Sequence, residues 1–382
     1  MTHRVAPTST QSRCGVGARL VPMRLDLTSD LVTLLQAITD VESVSGNEKR
    51  LADMVEEALR EQGHLEVTRD GDCVIARTHF GRGQRVVIAG HLDTVPVANN
   101  LPSRLEETPE GLRVVGRGTC DMKGGVAVQL QLAAELTDTN RDITWVFYDH
   151  EEVGAELNGL GRIAENSPEL LEADFAVLME PTNATIEGGC QGTCRILITV
   201  AGRASHSARS WLGHNAIHGL SDVLERINAY DAEEVDVEGL TYREGLNAVR
   251  VFGGVAGNVI PPSASIEINY RFAPDKSPDD ALAELRRIFN GYSFELTDMS
   301  PAARPGLDRE IAKDFVDSVG ATPKPKYGWT DVARFSALGI PAVNYGPADP
   351  SLAHTDNEYC PAHQLDTCAN GLRRWLNIEK EA

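Results

Sequence analysis

No apolar run in the chain approaches the roughly 20 residues that a membrane-crossing helix requires, which excludes an integral helical membrane protein. Basic residues are scarce. Lysine and arginine number 36 against 56 aspartates and glutamates, a formal net charge of −20. A surface so acidic repels nucleic acid and anionic lipid, so neither is a general partner. An anionic substrate stays compatible, provided that arginine gathers locally to meet it. Cysteines are few, odd in number (seven) and mostly scattered. That pattern argues against a disulfide framework and for a reducing cytoplasm. The two closest pairs, Cys190 with Cys194 and Cys360 with Cys368, lack zinc-finger spacing. Residues 1–22 lack the apolar stretch of a secretory signal and any periodicity, and read as a disordered extension. A transit peptide is the alternative, and Met23 is a candidate start.

What is present is the make-up of a soluble globular protein, 42% hydrophobic and 24% charged, with 382 residues that favour two domains over one core. Helices are expected over Ser29 to about Ile38 and Glu48 to Gln62, the second capped by Asn47. Strands follow near Leu65–Thr68, Val74–Thr78 and Arg85–Gly90, with a hairpin-like piece around Leu112–Val115 and an apolar helix from about Gly124. "ITWVFYD" and "FAVLMEP" add two buried strands. Helices between mainly apolar strands indicate an α/β sheet covered on both faces. After about Gly188 the order becomes β-α-β-β-α-β, with one helix over Asn215–Tyr230, the ferredoxin-like split unit. This reads as an inserted domain. The expected division is therefore 23–188 and 301–382 for the main domain, with 189–300 between them. The last part has a helix at "REIAKDFVDSVG", a strand near Ala342–Tyr345 and a helix from about Leu365.

"VVIAGHLDTVP", Val86 to Pro96, ends a buried strand in an imidazole and a carboxylate, with Pro96 barring continuation as a central strand. His and Asp at a strand end are also ordinary turn formers. Other polar residues, however, recur at Asp121, Glu151 with Glu152, and Glu180, at separations of 30, 30 and 29 residues from His91 onward. That is about the length of a βαβ unit. In an open α/β sheet the carboxyl ends of strands face one crevice, where ligands bind. Several carboxylates meeting there would repel unless cations held them. One imidazole with several carboxylates suits zinc, or the cobalt and manganese that compete for such sites. His354, in "LAHTDNE", is a further candidate ligand, although the same residues make a good turn. "GRGTCDMKGG" lacks both the dinucleotide and the Walker spacing and is no phosphate loop. Cys120 reads as a small packed residue, and His150 as structural, pointing to the other face.

"HLDTVP", "GRGTCDMKGG", "DHEEVGA", "MEP", "GRASHSA" and "AHTDNE" together resemble, in order and spacing, the co-catalytic zinc amidohydrolases and exopeptidases. That family includes carboxypeptidase G, aminoacylase, acetylornithine deacetylase and succinyl-diaminopimelate desuccinylase, and the resemblance runs from Met23 onward. It implies a mixed-sheet metallopeptidase catalytic domain and makes the ferredoxin-like insert a dimerisation domain. Carried over, it implies two zinc ions per chain, cobalt being the alternative, bridged by Asp121. His91 and Glu180 would complete one site, Glu152 and His354 the other. Glu151 would be the general base, and Asp93 would orient His91. A cis peptide is implied between Asp121 and Met122. His206, otherwise a solvated turn residue, would be an oxyanion donor supplied across a homodimer.

"GCQGTCRILITVAGRASHSAR", "GNVIPPSASIEINYRFAPD" and "GWTDVARFSALGIPAVNYGPADPSLAHTDNE" look most like the actinobacterial desuccinylase branch, which cleaves N-succinyl-L,L-2,6-diaminopimelate. In that branch Arg271 matches a carboxylate-binding arginine, while Asn258 and Thr330 fall at positions near substrate. One departure is "GWTD", where many desuccinylases read Gly-Gly-Thr-Ser-Asp; Trp329 would reshape the pocket. The alternatives within the class are an acetylornithine-type deacylase or a dipeptidase. From another class comes a non-hydrolytic peptide or amino-acid binder, which would have no use for Glu151.

Overall fold

The structure is a computed structural model that describes residues 24–377. The expected extension over 1–22 lies outside the described residues.

Strand Arg85–His91 shows how the main domain is built. Successive side chains of a strand point to opposite faces. Here Val86 and Ile88 join one buried cluster while Val87 and Ala89 join the other. Both faces must therefore be covered. Helices Leu31–Thr39, Lys49–Arg60, Lys123–Glu135, Glu310–Val319 and Ala362–Leu376 contribute to the first cluster, and Gly159–Asn166 and Val332–Ala337 to the second. The sheet has eight strands, in the order Glu66–Asp70, Cys73–Arg77, Asp142–Tyr148, Arg85–His91, Phe175–Leu178, Ala342–Asn344, Glu187–Gly188, Lys324–Pro325. The middle four, from Asp142–Tyr148 to Ala342–Asn344, run parallel; antiparallel pairings flank them, so the sheet is mixed. Helix Lys123–Glu135 is nearly all buried and presses its start onto the sheet. A Cβ on Gly125 would lie 2.2 Å from the Met179 carbonyl oxygen, so only glycine allows this approach.

Four antiparallel strands between Gly192 and Ser300 form a separate sheet, ordered Gly245–Gly253, Ser263–Phe272, Gly192–Ala201, Phe294–Ser300. In chain order this is 2-3-1-4, the ferredoxin-like arrangement. Along Ser263–Phe272 alternate residues are buried, and Ile266 and Ile268 pack with Leu220, Val223 and Leu285 of the covering helices. The opposite face carries the polar residues.

Several elements differ from expectation. The Asn215–Tyr230 helix is two pieces, Ala216–Gly219 and Ser221–Asn228. Helix Lys49–Arg60 starts one residue later than expected, with Glu48 and not Asn47 at its cap position and no side-chain cap; Glu48 is buried and accepts the His150 N–H at 3.2 Å. An unforeseen hairpin, Glu234–Val237 with Leu240–Arg243, turns through Glu238 and Gly239, both at positive φ. It reaches from the insert to the main domain, where the Tyr242 hydroxyl donates to the Gly188 carbonyl at 2.6 Å. The hairpin-like piece near Leu112 is one strand of a three-stranded sheet, completed by Arg104–Thr108 and by Tyr359–Pro361 from the far end of the chain. That last pairing sets residues 354–358 beside residues 116–121.

Candidate metal centre

His91 pairs with Tyr148, and Ala89 with Leu178, so three parallel strands end level with one another. Residues that follow those ends emerge at one edge, which is where His91, the Glu151–Glu152 pair and Glu180 stand. Asp121 arrives from the segment before helix Lys123–Glu135. His354, at φ 64°, arrives from the segment before Tyr359–Pro361. The structure thus brings together six of the expected site residues. His91, Asp121 and Glu180 form one group whose ligand-type atoms lie within 4.8 Å of one another, and Asp121, Glu152 and His354 form another. A third group joins His91, Glu151 and Glu152. Asp121 is common to the first two. Its Oδ1 is 3.2 Å from His91 Nε2 and its Oδ2 is 3.4 Å from His354 Nε2.

The His91 ring is aimed from behind, because its Nδ1 lies 3.0 Å from the Asp93 backbone carbonyl, leaving Nε2 toward Asp121. The Asp93 carboxylate also faces the ring, at 3.5 Å, and holds more besides. Its two oxygens accept the backbone N–H groups of Glu151 and Glu152, each at 3.0 Å, and the Ser45 hydroxyl at 2.6 Å. Burial pushes its pKa up, but the bonds from His91, Ser45 and the Glu151 N–H outweigh this and hold it at about 2. Asp93 therefore stays ionised and fixes the turn that carries both glutamates.

Glu180 and Glu151 feel the opposite balance. Burial, reinforced by the Asp121 charge, raises Glu180 to about 8. Burial also pushes Glu151 well up, against the pull of His91 and with the charges of Glu180, Asp331 and Glu152. For Asp121 burial is outweighed by bonds to His354 and His91, which hold it below the usual range. His354 is drawn up to about 10 by its bonds to Asp121 and Glu152. Glu180 Oε1 is buried with no hydrogen-bond partner. Two imidazoles and four carboxylates, one oxygen of them orphaned, fit divalent cations of the zinc and cobalt kind.

Other expected residues lie elsewhere. His206 is exposed on the insert, where its Nδ1 accepts the Ala208 N–H at 3.1 Å, and Asn258 is exposed on the neighbouring turn. Thr330 is buried and its hydroxyl bonds Asn344 at 3.0 Å. Trp329 turns to the domain junction, donating Nε1–H to the Pro301 carbonyl at 3.1 Å. Arg271 sits on the open face of the insert sheet with Nη1 buried and unpartnered. His150 pairs with Asp149 and Glu48, outside the cluster. The Cys120 thiol is buried, and burial pushes its pKa up, the reverse of what a nucleophile needs. The peptide between Asp121 and Met122 is cis.

Residues 87–378 match the family model described as Peptidase family M20/M25/M40. The chain belongs to that family. As an M20 chain it is 53% identical over 355 residues to a putative succinyl-diaminopimelate desuccinylase DapE of Mycobacterium tuberculosis, covering 92% of this chain and 99% of the relative. It is 46% identical over 364 residues to a succinyl-diaminopimelate desuccinylase of Corynebacterium glutamicum, covering 92% and 98%. Among solved structures, a dinuclear metal binding peptidase of the M20 family from Bacillus subtilis shares the fold, with a TM-score of 0.67 at 16% identity over 90% of this chain and 96% of that one.

Around the M20 centre stand charged residues that the sequence reading passed over. Asp331 is wholly buried and takes the Asn158 amide at 3.0 Å, tying the segment after Glu152 to the one that carries Trp329. Lys326 places its ammonium 2.7 Å from Glu187. Arg117 and Glu358 form a buried pair beside Asp121. The last two stand inside "GRGTCD" and "HTDNE", and their place in those motifs was the only signal.

Proposed function

We propose that this M20 enzyme hydrolyses the amide of N-succinyl-L,L-2,6-diaminopimelate to succinate and L,L-2,6-diaminopimelate, in the cytoplasm and as a homodimer. The observation that carries the chemistry is Asp121 shared between two ligand groups with Glu151 beside them. The substrate follows the two relatives whose names state it, each similar over 92% of this chain. Two zinc ions, or cobalt in their place, would supply Lewis acidity to the amide carbonyl and lower the pKa of water. His91 and Glu180 would hold one, Glu152 and His354 the other, and Asp121 both. Glu151 would take the proton of the attacking water and deliver it to the leaving amine.

Recognition of the substrate's carboxylates falls to Arg271. It lines a hollow of about 490 Å³ on the open face of the insert, and a guanidinium there can offer two N–H groups to one carboxylate. Asn258 and Thr330 are the further substrate-side candidates. Zinc-loaded protein should release succinate from succinyl-diaminopimelate much faster than acetate from acetylornithine. Arg271→Ala should lower kcat/KM by an amount on the order of 2–5 kcal/mol, as when one partner of a buried charge pair is truncated. Faster cleavage of acetylornithine would refute the substrate assignment.

The insert supports the dimer reading. Its edge strand Gly245–Gly253 leaves Val249, Val251 and Phe252 about half exposed, an open edge that invites pairing. A twofold partner would bring its own His206 to this chain's centre as oxyanion donor. Mixed dimers of His206→Ala and Glu151→Gln subunits, each inactive alone, should then recover activity up to one working site per heterodimer. Exchanged heterodimers that stay inactive would show that His206 does not act across the interface. All six cysteines among the described residues are free and buried, which supports a reducing compartment.

A further inference from the structure

Glu358 and Arg117 are 1% and 3% exposed, and Glu358 Oε2 accepts from Arg117 Nη1 at 2.9 Å. A buried ion pair is weak ground for stability, since well-packed apolar residues often replace one at no loss. What these two groups hold is more telling. Glu358 Oε1 accepts the backbone N–H groups of Cys120 at 2.9 Å and Asp121 at 3.0 Å. The Glu358 backbone carbonyl accepts the Gly116 N–H at 3.1 Å. Arg117 donates Nη1–H to the Thr355 carbonyl at 3.2 Å and Nε–H to the Pro96 carbonyl at 3.1 Å. Three segments meet at this one pair: the segment after His91 and Asp93, the one ending in Asp121, and the one running from His354 to Glu358.

We propose that the Arg117–Glu358 pair is the positioning device of the metal centre, setting the Asp121 backbone and the His354 segment in register before any ion binds. This rests on the reading of Asp121 as the shared ligand. A carboxylate that serves two ions has little angular freedom, and supporting groups must hold a site to within about 0.5 Å. Nothing on the Asp121 side chain itself can do this, because its oxygens face His91 and His354. Its backbone is fixed instead, through two N–H groups that would be orphaned without a carboxylate beneath them. Arg117 takes the other oxygen of that carboxylate and holds it from swinging toward solvent. The acid that acts is thus one that touches neither ion nor substrate.

Two experiments test this. In wild-type protein stripped of metal by a chelator, hydrogen exchange at the Cys120 and Asp121 amides should remain as slow as in the metal-loaded protein. If protection is lost on chelation, the ions organise the segment and the proposal fails. Glu358→Gln keeps the shape but sets an NH2 group against either Arg117 or the two backbone donors. Titrated with cobalt, the folded variant should bind both ions roughly 10- to 100-fold more weakly, the range for lost supporting partners of metal ligands. At saturating metal its KM for substrate should match wild type. A merely structural pin would lower the melting temperature of the metal-free protein and leave cobalt affinity within twofold of wild type, which overturns the proposal. Glu358→Asp, which preserves the charge for Arg117 but retracts it from the amides, should show the same cobalt defect. Should neither variant fold, the wild-type exchange result stands alone and decides. Asp121→Ala separates the two readings, since full ion binding there would refute the ligand assignment and not the hydrogen bonds.

Discussion

Glu151→Gln is expected to keep its metal ions and to lose hydrolysis by a factor on the order of 10²–10⁴, the usual contribution of a positioned general base. The backbone keeps the ligands in place. The Glu151 and Glu152 amides are pinned by Asp93, so an amide in place of one carboxylate leaves the turn where it is. The Glu152 contact with His354, at 2.9 Å, is untouched. What disappears is the carboxylate proposed to carry the proton. The check is metal content by elemental analysis alongside single-turnover rates. Near-normal turnover in a variant with full metal content would mean that the base lies elsewhere.

Asp121→Ala should instead empty the centre. The side chain belongs to both ligand groups, so its removal takes a donor from each at once. The loss of affinity should exceed the roughly 10- to 100-fold that supporting partners cost. Removing it also leaves His91 Nε2 and His354 Nε2 without the carboxylate that now faces them. Equilibrium dialysis against zinc is the direct measurement, with Glu151→Gln as control. Two tightly retained ions per chain would sink the assignment of Asp121 as the shared ligand.

The parts legible in the sequence are those whose signal is local. Strand Arg85–His91 announces itself as a short apolar run, and the alternation of Ser263–Phe272 marks a sheet with one covered face. The order of strands and helices after Gly188 sufficed for the ferredoxin-like insert. Strands Glu187–Gly188 and Lys324–Pro325 could not be read, because two residues carry no period and their pairing partners lie far along the chain. The same holds for Tyr359–Pro361, whose partner lies some 245 positions earlier. Helix Gly159–Asn166 was missed although Asn158 caps it. At the centre, the ligand-type residues stood out through their spacing at strand ends. Arg117 and Glu358 did not, since a pair 241 residues apart shows its purpose only when both ends are brought together.

The interleaving of the main sheet has a consequence for the order in which a nascent chain can fold. Strand Ala342–Asn344 lies between Phe175–Leu178 and Glu187–Gly188, with the whole insert translated in between. At about 5–20 residues per second, the ribosome needs roughly 10–30 s to travel from Gly188 to Ala342. For that interval Phe175–Leu178 has an unfilled edge, made of four wholly buried residues. The insert pairs only with itself in its four-stranded sheet, so it can close while the main domain waits. Its early closure shortens the distance that the late segment must search, because Cys190 and Ala303, its entry and exit, face each other across a bridge. His354 and Glu358 emerge last of all. The group of Asp121, Glu152 and His354 therefore cannot be completed on the ribosome until residue 354 has been made, 174 positions after Glu180.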